Sequence, residues 1–343
     1  MLKIYGFDHE CIYAYLFDFA KQNMCFFVEK RLAERALKDL MTTLGFQQFS
    51  RSSCDSDFQG IKCNCNSDKN NSTVCHVTGL HLSTRELEGQ INAAALASLV
   101  HLEEIDLSNN RLYGSIPDVT MGNLSSLNYL SLGYNMLSGQ IPKELGNLSN
   151  LQVIELGSNS LIGELPGNYE NFTSDQLMWF SVAGNRLTGQ VPSFIANWTG
   201  LEYLTLSGND FEGQLPLELL FNMSNLQYLF VSDVRSSAGF PQKANMTKIK
   251  YLVIRNCSIS GEIPRYIGDW SSLKYLDLSF NNLSGGIPDS MKNLNLTKMF
   301  LTGNMLNGTV PSWLPHTIED KAYVLALCSL LRWVVFPFVD FLN

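Results

Sequence analysis

From about residue 77 to about residue 311 the apolar positions recur in one order. Three leucines or substitutes fall as LxxLxL, a polar residue follows, and then come a further apolar residue, a glycine and an Ile-Pro or Val-Pro pair. Leu273-Lys274-Tyr275-Leu276-Asp277-Leu278-Ser279-Phe280-Asn281 is the first half of this unit, and Cys257-Ser258-Ile259-Ser260-Gly261-Glu262-Ile263-Pro264 is the second. The polar position falls at Arg85, Asn110, Asn135, Asn159, Asn185, Asn209, Val234, Cys257, Asn281 and Asn304, a spacing of 23 to 26 residues. Leu130 and Leu132 are two residues apart, so both face one side of a short strand. That side is the interior. The following Asn is expected to turn inward and bond the backbone of neighbouring turns, because backbone groups buried there need partners. Cys257 is a small buried substitute at the same position. The Gly permits a tight turn and the Pro ends regular pairing.

A period in the twenties with this leucine order is the leucine-rich repeat signature. The expected fold is an α/β solenoid: a leucine-rich repeat superhelix of about ten repeats with a parallel sheet on its concave face. Ser232 to Asn245 is irregular, with Val234 for Asn, Ser236 for Leu and Ala238 for Gly, before Phe240-Pro241 restores the closing pair. It reads either as a tolerated degenerate turn or as a distorted rim that reshapes the binding surface.

Ahead of the array, residues 29–45 read as an amphipathic helix, with Leu32, Ala36, Leu37, Leu40, Met41 and Leu44 at helical spacing and Gly45 as its stop. Such a helix would cover the open end of the solenoid. Cys54, Cys63, Cys65 and Cys75 cluster behind it. Four cysteines allow three pairings, and Cys54–Cys63 with Cys65–Cys75 suits a compact, disulfide-stapled N-terminal cap. A metal site is the competing reading, but there is no CxxC pair and no His at finger spacing. Residues 1–28 form an atypical N-terminal extension, in which Asp8, Glu10 and Asp18 interrupt what a signal peptide would keep apolar. The expected divisions are thus 1–28, a cap over 29–76, the array over 77–315 and a hydrophobic tail over 316–343. The tail is long enough for a membrane span, but Arg332 and Pro337 argue against one and Asp340 spoils a lipid-anchor signal. An abnormal, truncated end is the expectation there.

Charged residues are 16% of the chain and the net charge is −8. With no basic stripe, nucleic acid is a poor partner. Twelve Asn lie in N-x-S/T sequons: Asn70, Asn71, Asn123, Asn147, Asn171, Asn197, Asn222, Asn245, Asn256, Asn282, Asn295 and Asn307. The repeat itself favours Asn-Leu-Ser, yet the density and the cysteine cluster both suit an oxidising, extracellular compartment. Membrane association through C-terminal domains absent from this chain fits the same setting. His9, His76, His81, His101 and His316 are scattered and form no HExxH. No catalytic residue, metal ligand or cofactor is expected.

The chain resembles the ectodomain of plant leucine-rich-repeat receptor-like Ser/Thr kinases, in particular the group with a malectin-like domain after the repeats. The residues that carry this are Leu40 to Gly45; Cys63-Asn64-Cys65 through Cys75-His76-Val77-Thr78; the irregular Ser232-Asp233-Val234 segment with Ile254-Arg255-Asn256-Cys257; and Gly303-Asn304-Met305-Leu306-Asn307-Gly308-Thr309-Val310-Pro311-Ser312-Trp313. Phe58 stands where the family's caps often carry Trp. The family's kinase would need a Gly-rich loop, a VAIK-like lysine, HRD and DFG; none occurs here, so no enzyme activity is expected. The resemblance implies a module for signal perception outside the cell, facing the plasma membrane or cell wall space and binding a peptide, a glycan or a co-receptor ectodomain. A secreted inhibitor of a foreign enzyme and a non-signalling fragment of a partial gene are the alternatives.

The residues beside the LxL leucines should face outward on the concave side. The position before the second leucine reads Tyr129, Val153, Trp179, Tyr203, Tyr228, Tyr251 and Tyr275, and later repeats add Phe230, Arg255, Asp277, Phe280 and Phe300. Tyr is a good strand residue, and stacked rings can simply ladder along a sheet. Exposed aromatic and Arg side chains on a rigid surface also make strong contacts. The expected partner-binding set is therefore Trp179, Tyr203, Tyr228, Phe230, Tyr251, Arg255, Tyr275, Asp277 and Phe280, centred on repeats six to nine.

Overall fold

A computed structural model describes residues 33–46, 60–67, 73–172, 175–307 and 309–314. Cys54, Phe58, Asn70, Asn71 and the two terminal segments lie outside them. Each LxxLxL unit forms a three- to five-residue strand whose middle leucine is buried: Tyr129–Ser131 around Leu130, Tyr203–Thr205 around Leu204, Tyr275–Asp277 around Leu276. The strands build one eleven-stranded sheet running in chain order from Ile61–Ser67 to Lys298–Phe300. The first pair, Ile61–Ser67 with Thr73–His81, is antiparallel, and every later pair is parallel. The register pairs Trp179 with Tyr203, Tyr203 with Tyr228, Tyr228 with Tyr251 and Tyr251 with Tyr275. Equivalent positions of successive repeats therefore share one row.

The xLxGxIP half of each repeat forms the flank and the back. Short strands pair into a five-stranded lateral sheet over Glu88–Leu187, and separately into Ser260–Glu262 with Asn282–Ser284. Behind the closing Pro the chain makes one turn of helix, mostly 3-10, as at Lys143–Asn147 and Arg265–Asp269. Pro142 and Pro264 sit just ahead of these turns, where a missing N–H costs nothing.

The asparagines bind successive turns together. Asn185 donates from Nδ2 to the carbonyls of Leu156 (3.1 Å) and Val182 (3.0 Å), and its Oδ1 accepts from the N–H of Leu161 (2.9 Å). Asn110, Asn135, Asn159, Asn209, Asn281 and Asn304 make the same pattern. Cys257, fully buried, donates its thiol to the carbonyls of Val231 and Arg255 in their place. The irregular repeat has no such amide: Val234 is buried, and the hydroxyl of Ser236 accepts from Leu215 N–H and Ala238 N–H, both at 3.1 Å. Behind it, Phe221 packs against Phe240 and Trp270 and fills the interior. The lateral sheet breaks here, and among the described residues isolated bridges join Glu212 to Arg235 and Gly239 to Ser260.

At the N-terminal end, residues 33–43 form a helix that buries Ala36, Leu37, Leu40, Met41 and Leu44. It lies against the first lateral strand so tightly that a Cβ on Gly89 would fall 1.8 Å from the Thr43 carbonyl oxygen. Cys65 and Cys75 are disulfide-bonded across the first hairpin, as expected from their clustering. Cys63 is also disulfide-bonded.

Candidate ligand-binding face

The strand register converts the outward residues into a continuous aromatic ladder. Trp179 stacks on Tyr203 with ring centroids 3.5 Å apart and planes 1° from parallel. Tyr203 continues to Tyr228 (5.8 Å), Tyr228 to Tyr251 (5.3 Å), Tyr251 to Tyr275 (5.6 Å) and Tyr275 to Phe300 (5.5 Å). Phe230, two residues along its strand, bridges Tyr203 and Tyr251. The pairs from Tyr203 onward, at 5.3–5.8 Å, are of the kind that adds about 0.5–1.5 kcal/mol each beyond area burial. The ladder is therefore rigid before anything binds. Trp179 and Tyr251 remain 37% and 36% exposed, so their faces are open to a partner. Burial raises the phenol of Tyr203, with the Glu155 carboxylate adding to the effect, so this group stays a neutral donor.

Arg255 stands at the end of its strand, with its guanidinium 4.7 Å from the centre of the Phe280 ring and 3.9 Å from Asp277 Oδ2. Phe280 occupies the repeat position that carries Gly184, Gly208 and Gly303, and like them it has a left-handed backbone, with φ of 58°. A bulky residue there costs about 1–2 kcal/mol. Its ring is nevertheless 49% exposed, so core packing does not account for its presence.

Asp277 behaves differently from its neighbours. It is buried, and its Oδ1 accepts from both the backbone N–H and the hydroxyl of Ser279. Its Oδ2 lies 3.9 Å from Arg255 Nη1. Asp106 with Ser108 repeats the same turn near the other end of the sheet. Two groups absent from the expected set also belong to the face. Glu155 accepts from Trp179 Nε1 (3.1 Å) and Ser181 Oγ (2.8 Å), fixing the indole, and Lys250 Nζ lies 5.9 Å from the Tyr228 ring centre. Both occupy outward positions of their repeats, and aligning the repeats row by row would have shown Glu155 one strand from Trp179.

The irregular repeat supplies Tyr228 and Phe230 to the ladder and also borders the flank. A cleft of about 390 Å³ beside it is lined by Asp210, Glu212, Asp233, Arg235 and Asn256, and it excludes Tyr228, Phe230 and Tyr251. Asn256 donates to Asp233 Oδ1 at 2.7 Å, and Ser232 Oγ donates to Asp233 Oδ2 at 2.6 Å. Two of the scattered histidines meet at the N-terminal end, where His76 faces His101 with ring centroids 4.0 Å apart; separately, His81 Nε2 lies 3.0 Å from Glu104. Among the described residues no group of three or more His, Cys, Asp or Glu could hold a metal ion, and no helix is long and apolar enough to cross a membrane.

Family models described as leucine-rich repeat match residues 100–161, 247–306 and 200–222. A probable LRR receptor-like serine/threonine-protein kinase of Arabidopsis thaliana is 45% identical over 86 residues, which are 24% of this chain and 8% of that protein. The chain spans less than a tenth of the length of the curated relatives it matches first, at 8%, 6% and 6%. Among solved structures, the ectodomain of the plant membrane receptor kinase GASSHO1/SCHENGEN3 from Arabidopsis thaliana, in complex with Casparian strip integrity factor 2, superposes with a TM-score of 0.73 at 29% identity. That match covers 83% of this chain and 34% of the other. The plant peptide hormone receptor RGFR1, in complex with RGF2, gives a TM-score of 0.65 at 29% identity over 71% of this chain and 39% of the other. The chain is a leucine-rich repeat solenoid, similar in fold over most of its length to the ectodomains of plant LRR receptor kinases.

Proposed function

We propose that this chain is an extracellular recognition module that binds an extended peptide along its concave face, as the ligand-reading part of a plant receptor-like protein or kinase. The observation that carries this reading is the ladder from Trp179 to Phe300, a continuous aromatic strip, with the Arg255 guanidinium over Phe280 at the end of the Tyr251–Arg255 strand. Aromatic faces supply contact area at low entropic cost, and an oriented guanidinium supplies directional donors. Two similar solved ectodomains were each determined with a partner in place, a peptide hormone receptor with RGF2 among them, which supports a peptide as the partner class. Trp179, Tyr203, Tyr228, Phe230, Tyr251, Arg255, Tyr275 and Phe280 make the contacts on this reading, and Asp277 positions Arg255. Such a module works at the outer face of the plasma membrane or in the cell wall space.

The test uses peptides selected from a random display library on the intact chain. Phe230→Ala and Arg255→Ala should each weaken selected peptides tenfold or more, about 1.4 kcal/mol or above. Tyr129→Ala, near the other end of the sheet, should leave them within twofold. Loss on Tyr129→Ala with no loss on the other two would place the site elsewhere.

A further inference from the structure

Charge is divided unevenly along the concave sheet. In repeats two to six, the stretches from the first leucine of LxxLxL to the Asn position are 102–110, 127–135, 151–159, 177–185 and 201–209. They contain Glu103, Glu104, Asp106, Glu155 and Glu202 and no Lys or Arg, so five negative charges. Lys62 reaches Glu104 from the first hairpin, and five minus one still leaves four. The matching stretches of repeats eight to ten, 249–257, 273–281 and 296–304, contain Lys250, Arg255, Lys274 and Lys298 against Asp277 alone, four minus one, so three positive charges. The fold does not dictate these signs, because Glu103, Glu202, Lys250 and Lys274 all fill the same place, directly after the first leucine of their repeats.

The lysines of the basic end are not matched by carboxylates. Lys250 and Lys274 share one column on neighbouring strands, where Lys274 N–H donates to the Lys250 carbonyl at 2.8 Å. Among the described residues neither makes an ion pair. Lys250 Nζ reaches back one turn to Gln227 Oε1 at 2.7 Å, whereas Lys274 Nζ reaches forward one turn to the Asn295 carbonyl at 3.2 Å. Like charges side by side on adjacent strands repel, and here the two amines splay in opposite directions onto neutral acceptors. Lys248 likewise donates to the neutral Asn225 Oδ1, at 2.8 Å. With Lys250 Nζ 5.9 Å from the Tyr228 ring centre, this basic column runs beside the aromatic ladder. At the acidic end Glu202 accepts from Gln227 Nε2, and the half-buried Glu103 carboxylate has no partner among the described residues.

We propose that the peptide on this face is bipolar and binds in one direction, with acidic side chains over Lys250, Lys274 and Arg255 and basic side chains over Glu103, Glu155 and Glu202. This rests on the reading that an extended peptide occupies the concave face, and it adds the ligand's charge pattern and orientation. Seven strand spacings separate the second repeat from the ninth, a distance of about 34 Å at ~4.8 Å each. An extended chain covers about 3.3–3.6 Å per residue, so the acidic and basic residues of the ligand stand about ten positions apart. The reversed orientation brings like charges together at both ends, which is how an interface rejects a wrong register.

The test uses peptides selected from a random display library on the intact chain. Lys250→Glu with Lys274→Glu should weaken a selected peptide about tenfold or more, and changing that peptide's acidic residues to Lys should recover most of the loss. A version with its acidic and basic residues exchanged should bind the unaltered chain about tenfold more weakly. A photo-crosslinker placed beside the acidic residues should attach within repeats eight to ten. Lys250 is exposed, so Lys250→Glu alone leaves the fold intact and gives a second variant, with a loss of about threefold expected. Weakening by Phe230→Ala with no effect of either charge reversal overturns the bipolar ligand and leaves the peptide reading in place. Crosslinks within repeats two to four, or a selected pool not enriched in acidic residues, also overturn it. No effect of any of these substitutions removes both.

Discussion

Replacing Asn185 by Ala tests what holds the solenoid together. The residue is 8% exposed, and its amide serves three backbone groups on two turns: the carbonyls of Leu156 and Val182, and the N–H of Leu161. An orphaned buried polar group costs about 1–3 kcal/mol. Three of them set a destabilisation of about 3 kcal/mol even at the low end, before any cavity term. Turns couple only to their neighbours, so the damage should stay local. Urea unfolding followed through tryptophan fluorescence reads the total, with Trp179 and Trp198 on either side of the site. Hydrogen exchange should show lost protection at Leu161 and across Ser160–Gly163, with the strands beyond Tyr251 unaffected. The matched control is Asn147→Ala, an exposed amide, which should stay within about 0.5 kcal/mol of wild type. Equal effects of the two substitutions would refute the role assigned to the buried amides.

Three further outcomes follow from the same structure. Gly89→Ala puts a methyl group against the Thr43 carbonyl, which cannot move aside, so the helix over 33–43 should detach at a cost of about 1–3 kcal/mol, seen as faster proteolysis within it; unchanged protection would show that the helix does not pack there. Cys65→Ser removes the bond across the first hairpin, whose ends are 10 residues apart, and should cost about 2–3 kcal/mol, read as a lower urea midpoint at the first repeats; no change would mean the bond staples nothing. Burial pushes the Cys257 thiol up to about 11, chiefly through desolvation, so native protein at pH 8 should resist alkylation at this residue until it unfolds. The linked stability is complete below the unfolded value of about 8.5 and is lost as pH rises through the folded one; fast native labelling would contradict this.

The repeat and its geometry were legible because they are local. Leu130 and Leu132 need only a strand's period of two to define an interior, and Asn135 needs only a turn to point inward. The 25-residue separation of Asn110 and Asn135 then brings equivalent rows together without any long-range guess. The aromatic ladder was legible for the same reason, since Tyr203, Tyr228, Tyr251 and Tyr275 occupy one position of the unit. What escaped depends on contacts between side chains. Asp277 looks like any outward strand residue, but Ser279 two positions on draws its carboxylate into a buried turn. Ser236 in a leucine position looks like a defect, yet its hydroxyl satisfies two buried N–H groups that no amide reaches. The irregular repeat could be read as a tolerated turn or as a distorted rim, and the cleft beside it is lined by polar side chains such as Asp210, Asp233 and Arg235, which the repeat pattern does not bring together.

Hydroxyl-radical footprinting of the intact chain, saturated with a peptide selected as above, tests the central claim most directly, because it reads the aromatic rings themselves. The account predicts reduced oxidation of Trp179, Tyr228, Tyr251 and Tyr275 on binding. Tyr113, 45% exposed on the lateral strand Arg111–Ser115, should oxidise as in the free protein. Protection of Tyr113 with an unchanged ladder would contradict it.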